Sequence, residues 1–422
     1  MCHVIELTQS ALREILREAK NVYIQGGAST PTYLLDMIGE MDIGGLSFYH
    51  IELGGDVFLF REDHTDRFRD YSFFVGANAR DALQKGWTRY IPIFLSDIPW
   101  FLRTQIRLDL AIVNVSTPDS KGMMSLGPTV EAAKVAVEVA RRTIAQVNGE
   151  VPRTFGDSLI TPGMVSHFLR HDEPLHVTKR ERPDEVDMKI GRNVAELIPD
   201  GATVQAGIGK VPDAVMLSLS DRRDLGVHTE LISDGIVELM ERGVVNNRLK
   251  AIDRYHTVGT FAKGERKVFD YLDDNTSVQM RSVEYTNDTS VIRRNRMMHS
   301  INSAVEVDLT GQVSAESIGP RVISGVGGQM DFVRGSSLSE GGKSIIALRS
   351  TTRDGKSKIV PFLMQGTGVT TTRNHVQYVV TEYGVAELRG KTIQERVTEM
   401  VSVAHPRFRS ELEEEASRIL RA

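Results

Sequence analysis

The stretch VQAGIGKVPDAV (204–215), followed by LGVHTELISDG (225–235), brings together two groups that could do chemistry. One is the turn Gly207-Ile208-Gly209, whose backbone N–H groups could meet an anion. The other is the carboxylate of Glu230, about 20 residues further on, the spacing at which a dinucleotide fold places the acid that holds a ribose. Either Glu230 binds a ribose or it reacts. The ribose reading lacks the third glycine that lets helix and strand close over a pyrophosphate, because Lys210-Val211-Pro212 stands there. A plain glycine turn between strand and helix is the bland alternative.

A second glycine run, SGVGGQMDFVRG (324–335), has the composition of a backbone cradle: Gly325, Gly327 and Gly328 let amides approach a ligand closely. Lys210, Arg334 and Lys343 are candidate phosphate contacts, with solvated surface charge as the alternative for each. Glu382 in VVTEYGVAELRG is a further carboxylate, and a strand-end acid is ordinarily a cap or an ion-pair partner. The 11 histidines form no HExxH and no close His/Cys set, so no metal site is expected. Ser125 and Ser158 lack a GxSxG elbow, which argues against a serine hydrolase.

The elements that must carry these residues are legible as an alternation. Short β-branched runs give way to helical periods in NVYIQGG then PTYLLDMIGEM, and in TVQAGIG then PDAVMLSLSD, which predicts an α/β protein with largely parallel sheets. The charged, proline-containing stretch 172–190 reads as a connection, so domains are expected at 1–180 and 181–422. The halves echo each other. VYIQGGASTPTYLLDM (22–37) matches TVQAGIGKVPDAVMLSL (203–219), SFYHIELGG (47–55) matches LGVHTELIS (225–233), and 110–127 matches 303–319. A duplication with a site in the cleft between two related domains is the expectation. It makes Glu52 the counterpart of Glu230.

Composition sets the outer limits. A 422-residue chain with 41% hydrophobic and 25% charged residues can bury substantial cores, and its net charge of −5 offers nothing to nucleic acid or an anionic membrane. The one cysteine, Cys2, excludes an internal disulfide, and the N-terminal stretch reads as an amphipathic helix, so a cytoplasmic setting is expected.

Taken in order, QAGIGKVPDAV, HTELISDG, VEYTNDTSVI, SINSAVEVDLTGQV, SGVGGQMDFVRG, KSIIALRSTT, VVTEYGVAELRGKT and AHPRFRSELEEEA resemble class I coenzyme A transferases of the acetyl-CoA hydrolase/transferase type, in particular 4-hydroxybutyrate and butyrate/acetate CoA-transferases. GANARDAL, YIPIFLSDIP, STPDSKGMMSLG and VPRTFGDSLI extend the resemblance through the first half. It implies that Glu230 is a covalent nucleophile forming anhydride and glutamyl-CoA thioester intermediates, with coenzyme A as cosubstrate and no tightly bound cofactor. It further implies that the N–H groups of Ile208 and Gly328 stabilise the oxyanion, that Asn287 supplies a side-chain amide, that Glu382 is a second acid of the site, and that the chain forms a homo-oligomer. Acyl-CoA and short-chain carboxylates are the implied partners. An acyl-CoA hydrolase on the same fold, a dinucleotide-binding dehydrogenase and a non-catalytic CoA-binding module are the alternatives. Arg349 stands where relatives have proline, as a phosphate contact or a loop change, and Glu52 is expected to be structural.

Overall fold

The computed structural model describes residues 5–420; Cys2 lies outside them. The described chain forms two compact units. The first gathers Met1–Lys179 with Val258–Thr286, and the second Arg180–Thr257 with Asn287–Ala422, so the chain returns to the first unit once after leaving it.

The first unit is built on β1 (Ile5–Glu6), β2 (Asn21–Ile24), β3 (Leu46–His50), β4 (Phe68–Ser72), β5 (Thr88–Tyr90), β6 (Leu110–Val115), β7 (Arg142–Val147) and β8 (His167–Arg170). Their order is β1-β8-β7-β6-β2-β3-β4-β5, with every neighbour parallel. LAIVNV of β6 is buried at every position, the pattern of a parallel strand covered on both faces. Helix α1 (Gln9–Glu18) starts where the Thr8 hydroxyl accepts from the N–H of Ala11 at 3.1 Å. It buries Leu12, Ile15 and Leu16, three and four residues apart, in the core that contains Val22, Phe48 and Leu110.

The second unit carries β9 (Thr203–Ala206), β10 (Gly226–Val227), β11 (Met298–Asn302), β12 (Lys343–Ala347), β13 (Tyr378–Thr381) and β14 (Gly384–Glu387). Their order is β10-β9-β11-β12-β13-β14, parallel except for the β13–β14 hairpin. The succession β10-β9-β11-β12-β13 repeats β3-β2-β6-β7-β8 of the first unit, which is the topological form of the duplication. The third sequence echo is displaced. Thr203 faces Met298 as Val22 faces Leu110, so the counterpart of β6 is β11 and not the segment after it. The polar spelling MHSIN hid this strand. All five residues are buried, with His299 Nδ1 2.7 Å from the Met297 carbonyl and Ser300 Oγ 2.9 Å from Ser336 Oγ.

Helices α2 (Glu185–Ala195), α3 (Lys210–Ser218), α4 (Asp234–Glu241), α5 (Gln329–Leu338) and α6 (Ile393–Val403) accompany this sheet. Val307, Val333, Ile346, Val379, Val397 and Met400 belong to its core. The stretch 172–190, expected as a connection, is helical from 185 onward because Asp184 and Asp187 form a capping box at the start of α2. No helix among the described residues is long and apolar enough to cross a membrane.

Candidate active site

Parallel strands order the candidates along one edge. β9 ends at Ala206 and releases Gly207-Ile208-Gly209, β10 ends at Val227 and leads to Glu230, and β13 ends at Thr381, one residue before Glu382. Open α/β sheets bind ligands beyond these carboxyl ends. Lys343 is at the other edge: it opens β12 opposite His299. Its Nζ donates to the Leu197 carbonyl at 2.8 Å and lies 5.8 Å from the Tyr378 ring centre. Strand direction thus puts Lys343, a candidate phosphate contact, at the opposite end of the sheet from the carboxylates.

Glu230 sits in a tight polar cluster. The Nδ2 of Asn287, a fully buried residue, donates to Glu230 Oε2 at 3.2 Å and to Asp331 Oδ2 at 3.1 Å. The backbone N–H of Gly328, at the start of α5, also donates to the Glu230 carboxylate. The approach is so close that a Cβ at position 328 would stand 1.8 Å from Glu230 Oε2 and 2.1 Å from Asn287 Nδ2, so only glycine fits. Burial is the main cause that pushes the Glu230 carboxyl up to about 7; the Asn287 donor opposes it, the charge of Asp331 adds to it, and the Gly328 donor opposes it. Asp331, buried in the first turn of α5, was not singled out in the sequence. Its only signal there is an acid shortly after a glycine run, which any helix start can show.

The other candidates are placed as follows. Ile208 is exposed, and the N–H of Gly207 is engaged by the Ile301 carbonyl at 3.1 Å. Gly209 caps α3, and Gly325 and Gly327 lie in the loop leading to Gly328. Lys210 Nζ lies 2.9 Å from Glu181 Oε2, and Arg334 is exposed with no side-chain partner among the described residues. Glu382 accepts from the N–H of Ser350 at 2.9 Å and from its hydroxyl at 2.6 Å, so it braces the loop after β12. Arg349 is taken up by acids: Nε reaches Asp187 at 2.8 Å, and one Nη reaches Asp184 and Asp187 at 2.6 Å each. In the first unit Glu52 faces a cation, with Lys263 Nζ at 3.0 and 3.2 Å from its two oxygens. The duplicated acids thus differ in company: an amide and a backbone N–H for Glu230, an ammonium for Glu52.

A half-buried carboxylate held by neutral donors is equipped to attack a carbonyl carbon and be left uncharged. Comparison with known proteins gives the family. The acetyl-CoA hydrolase/transferase N-terminal domain family matches residues 7–177, and the C-terminal domain family matches residues 264–416. The chain belongs to the acetyl-CoA hydrolase/transferase family. A succinyl-CoA:acetate/propanoyl-CoA:succinate CoA transferase of Fasciola hepatica is 44% identical over 409 residues, covering 95% of this chain and 85% of the relative. A 4-hydroxybutyrate coenzyme A transferase of Clostridium kluyveri is 45% identical over 370 residues, covering 87% and 86%. The crystal structure of RipA from Yersinia pestis superposes with a TM-score of 0.91 at 33% identity, covering 98% of this chain and 99% of that one. In this member of the acetyl-CoA hydrolase/transferase family, the cluster of Glu230, Asn287, Gly328 and Asp331 is the candidate reactive centre.

Proposed function

We propose that this CoA-transferase moves coenzyme A from acetyl-CoA to a short-chain carboxylate such as 4-hydroxybutyrate or butyrate, with Glu230 as the covalent nucleophile. The observation that carries the reading is the half-buried Glu230 carboxylate held between Asn287 Nδ2 and the Gly328 N–H. A Glu230 oxygen attacks the thioester carbonyl, the C–S bond breaks, and CoA leaves as thiolate from a mixed anhydride. The thiolate then attacks the Glu230 carbonyl carbon, the C–O bond to the acetyl group breaks, and acetate leaves a glutamyl-CoA thioester. The incoming carboxylate attacks that thioester and expels CoA thiolate; the thiolate takes the new acyl group and frees the Glu230 carboxylate. One thioester replaces another, with no net change in protons or electrons.

Burial makes the Glu230 anion costly, and each covalent intermediate removes that charge, so part of the ground-state cost is relieved on the way to the anhydride. Negative charge building on the attacked oxygen needs donors: the exposed turn at Ile208 offers an N–H, and the Gly328 N–H and Asn287 amide, which hold the Glu230 carboxylate at rest, are released toward it as Glu230 gives up its charge. Binding energy from the remote nucleotide of CoA, with Lys210 and Arg334 as candidate phosphate contacts, offsets the strain of the anhydride. The acceptor is tested by offering acetate, butyrate, 4-hydroxybutyrate and succinate with acetyl-CoA. New acyl-CoA from butyrate or 4-hydroxybutyrate is the expected result, whereas free CoA with every acid would replace this reading by hydrolysis.

A further inference from the structure

The strand that delivers Glu230 is unusual in its support. β10 has only two residues, Gly226 and Val227, paired to Thr203 and Val204 on its inner side. Its counterpart β3 is flanked outward by β4 through five register pairs, whereas β10 ends its sheet. Two buried side chains occupy the missing strand's place. Asn247 Oδ1 accepts the outward N–H of Val227 at 2.8 Å, and Lys250 Nζ donates to the outward Val227 carbonyl at 2.9 Å. Both are anchored behind: Asn247 Nδ2 donates to Thr257 Oγ1 at 3.0 Å, and Lys250 Nζ donates to the His256 carbonyl at 2.8 Å. The lysine stem lies so close to the strand that a Cβ on Gly226 would come within 2.5 Å of Lys250 Cγ.

The loop that carries them is held against its own preferences. Asn247, Asp253 and Tyr255 have φ of 57°, 47° and 69°, a region that costs on the order of 1–3 kcal/mol per non-glycine residue and persists only when surroundings enforce it. The enforcing contacts include the Tyr255 N–H to the Asn247 carbonyl at 3.0 Å and the N–H groups of Asn246 and Asn247 to the Leu225 carbonyl at 3.1 Å each. An ammonium buried as deeply as that of Lys250 is expensive, and burial lowers its pKa to about 7. A methylene side chain would fill the space without that cost but could not grip the carbonyl.

We propose that Asn247 and Lys250 are positioning residues for the transfer reaction, acting as a side-chain substitute for a strand that sets where Glu230 meets Gly328 and Asn287. The proposal rests on Glu230 being the nucleophile. Glu230 is three residues beyond Val227, so a shift of the strand moves its carboxylate directly, and small misplacements of reacting groups cost about 100-fold in rate.

The test is a quenched single-turnover experiment on the full chain with saturating acetyl-CoA, reading the CoA adduct on the intact protein by mass spectrometry for wild type, Lys250→Met and Asn247→Gly. Glycine at 247 relieves the backbone while removing the acceptor. A merely structural role would reduce the fraction of protein that forms adduct and leave the rate constant of the folded fraction alone. Positioning predicts full amplitude with the rate constant lowered about 10- to 100-fold in Lys250→Met and several-fold in Asn247→Gly. Rate constants within two-fold of wild type, at any amplitude, overturn it. Should Lys250→Met fail to fold, Asn247→Gly decides by the same criterion. Wild type without adduct would instead overturn the assignment of Glu230.

Discussion

The amide nitrogen of Asn287 donates to two carboxylates at once, Glu230 Oε2 at 3.2 Å and Asp331 Oδ2 at 3.1 Å. Both N–H bonds of that nitrogen are therefore committed, and Asp331 fixes which way the amide faces. The charge of Asp331 also raises the proton affinity of Glu230. Asp331→Asn removes that charge, so the acidic limb of the kcat/KM profile is expected to move to lower pH. The rate on the plateau should fall about 10-fold as the amide loses its anchor. A pH–rate profile of the variant checks both.

Linkage gives a second expectation. The folded-state pKa of Glu230, about 7, lies above the ordinary carboxylate value of 4.5, so the folded protein holds the extra proton between them. Stability from this group is fully present below about pH 4.5 and is lost as pH rises through about 7. Glu230→Gln should then stabilise the fold at pH 8 by on the order of 1–3 kcal/mol and by little at pH 5. Thermal melting of both proteins at the two pH values measures it.

Gly328→Ala places a methyl group where the Glu230 and Asn287 side chains already are. The neighbours must retreat and the backbone donor moves off the carboxylate. A loss of about 100-fold in kcat is expected, the usual effect of removing one oxyanion donor, with an unchanged circular dichroism spectrum.

Arg349 binds Asp187, which is fully buried, together with the exposed Asp184. Arg349→Ala strands a buried carboxylate, and a loss of about 1–3 kcal/mol in urea unfolding is expected after allowing for partial solvent access. CoA affinity should not change, because the guanidinium is already engaged by acids.

The alternation of elements, the α1 helix and the two halves were legible because hydrophobic period and glycine turns are local signals. The displaced third echo was not, since His299 and Ser300 disguise a buried strand whose polar groups are satisfied only by tertiary partners. Glu230 was visible as a candidate from its spacing, but its difference from Glu52 lies in Asn287 against Lys263, partners 57 and 211 residues away along the chain. Asn247 and Lys250 gave no sequence signal, and Asp331 only the acid that any helix start can show, for the same reason.

The most direct test is intact-protein mass spectrometry after incubation with acetyl-CoA and no acceptor, on wild type, Glu230→Ala and Glu52→Ala. A CoA adduct on wild type and Glu52→Ala, absent from Glu230→Ala and mapped to the peptide containing HTEL, is the predicted result. An adduct that persists in Glu230→Ala, or is lost only in Glu52→Ala, would contradict the assignment of Glu230 as the nucleophile.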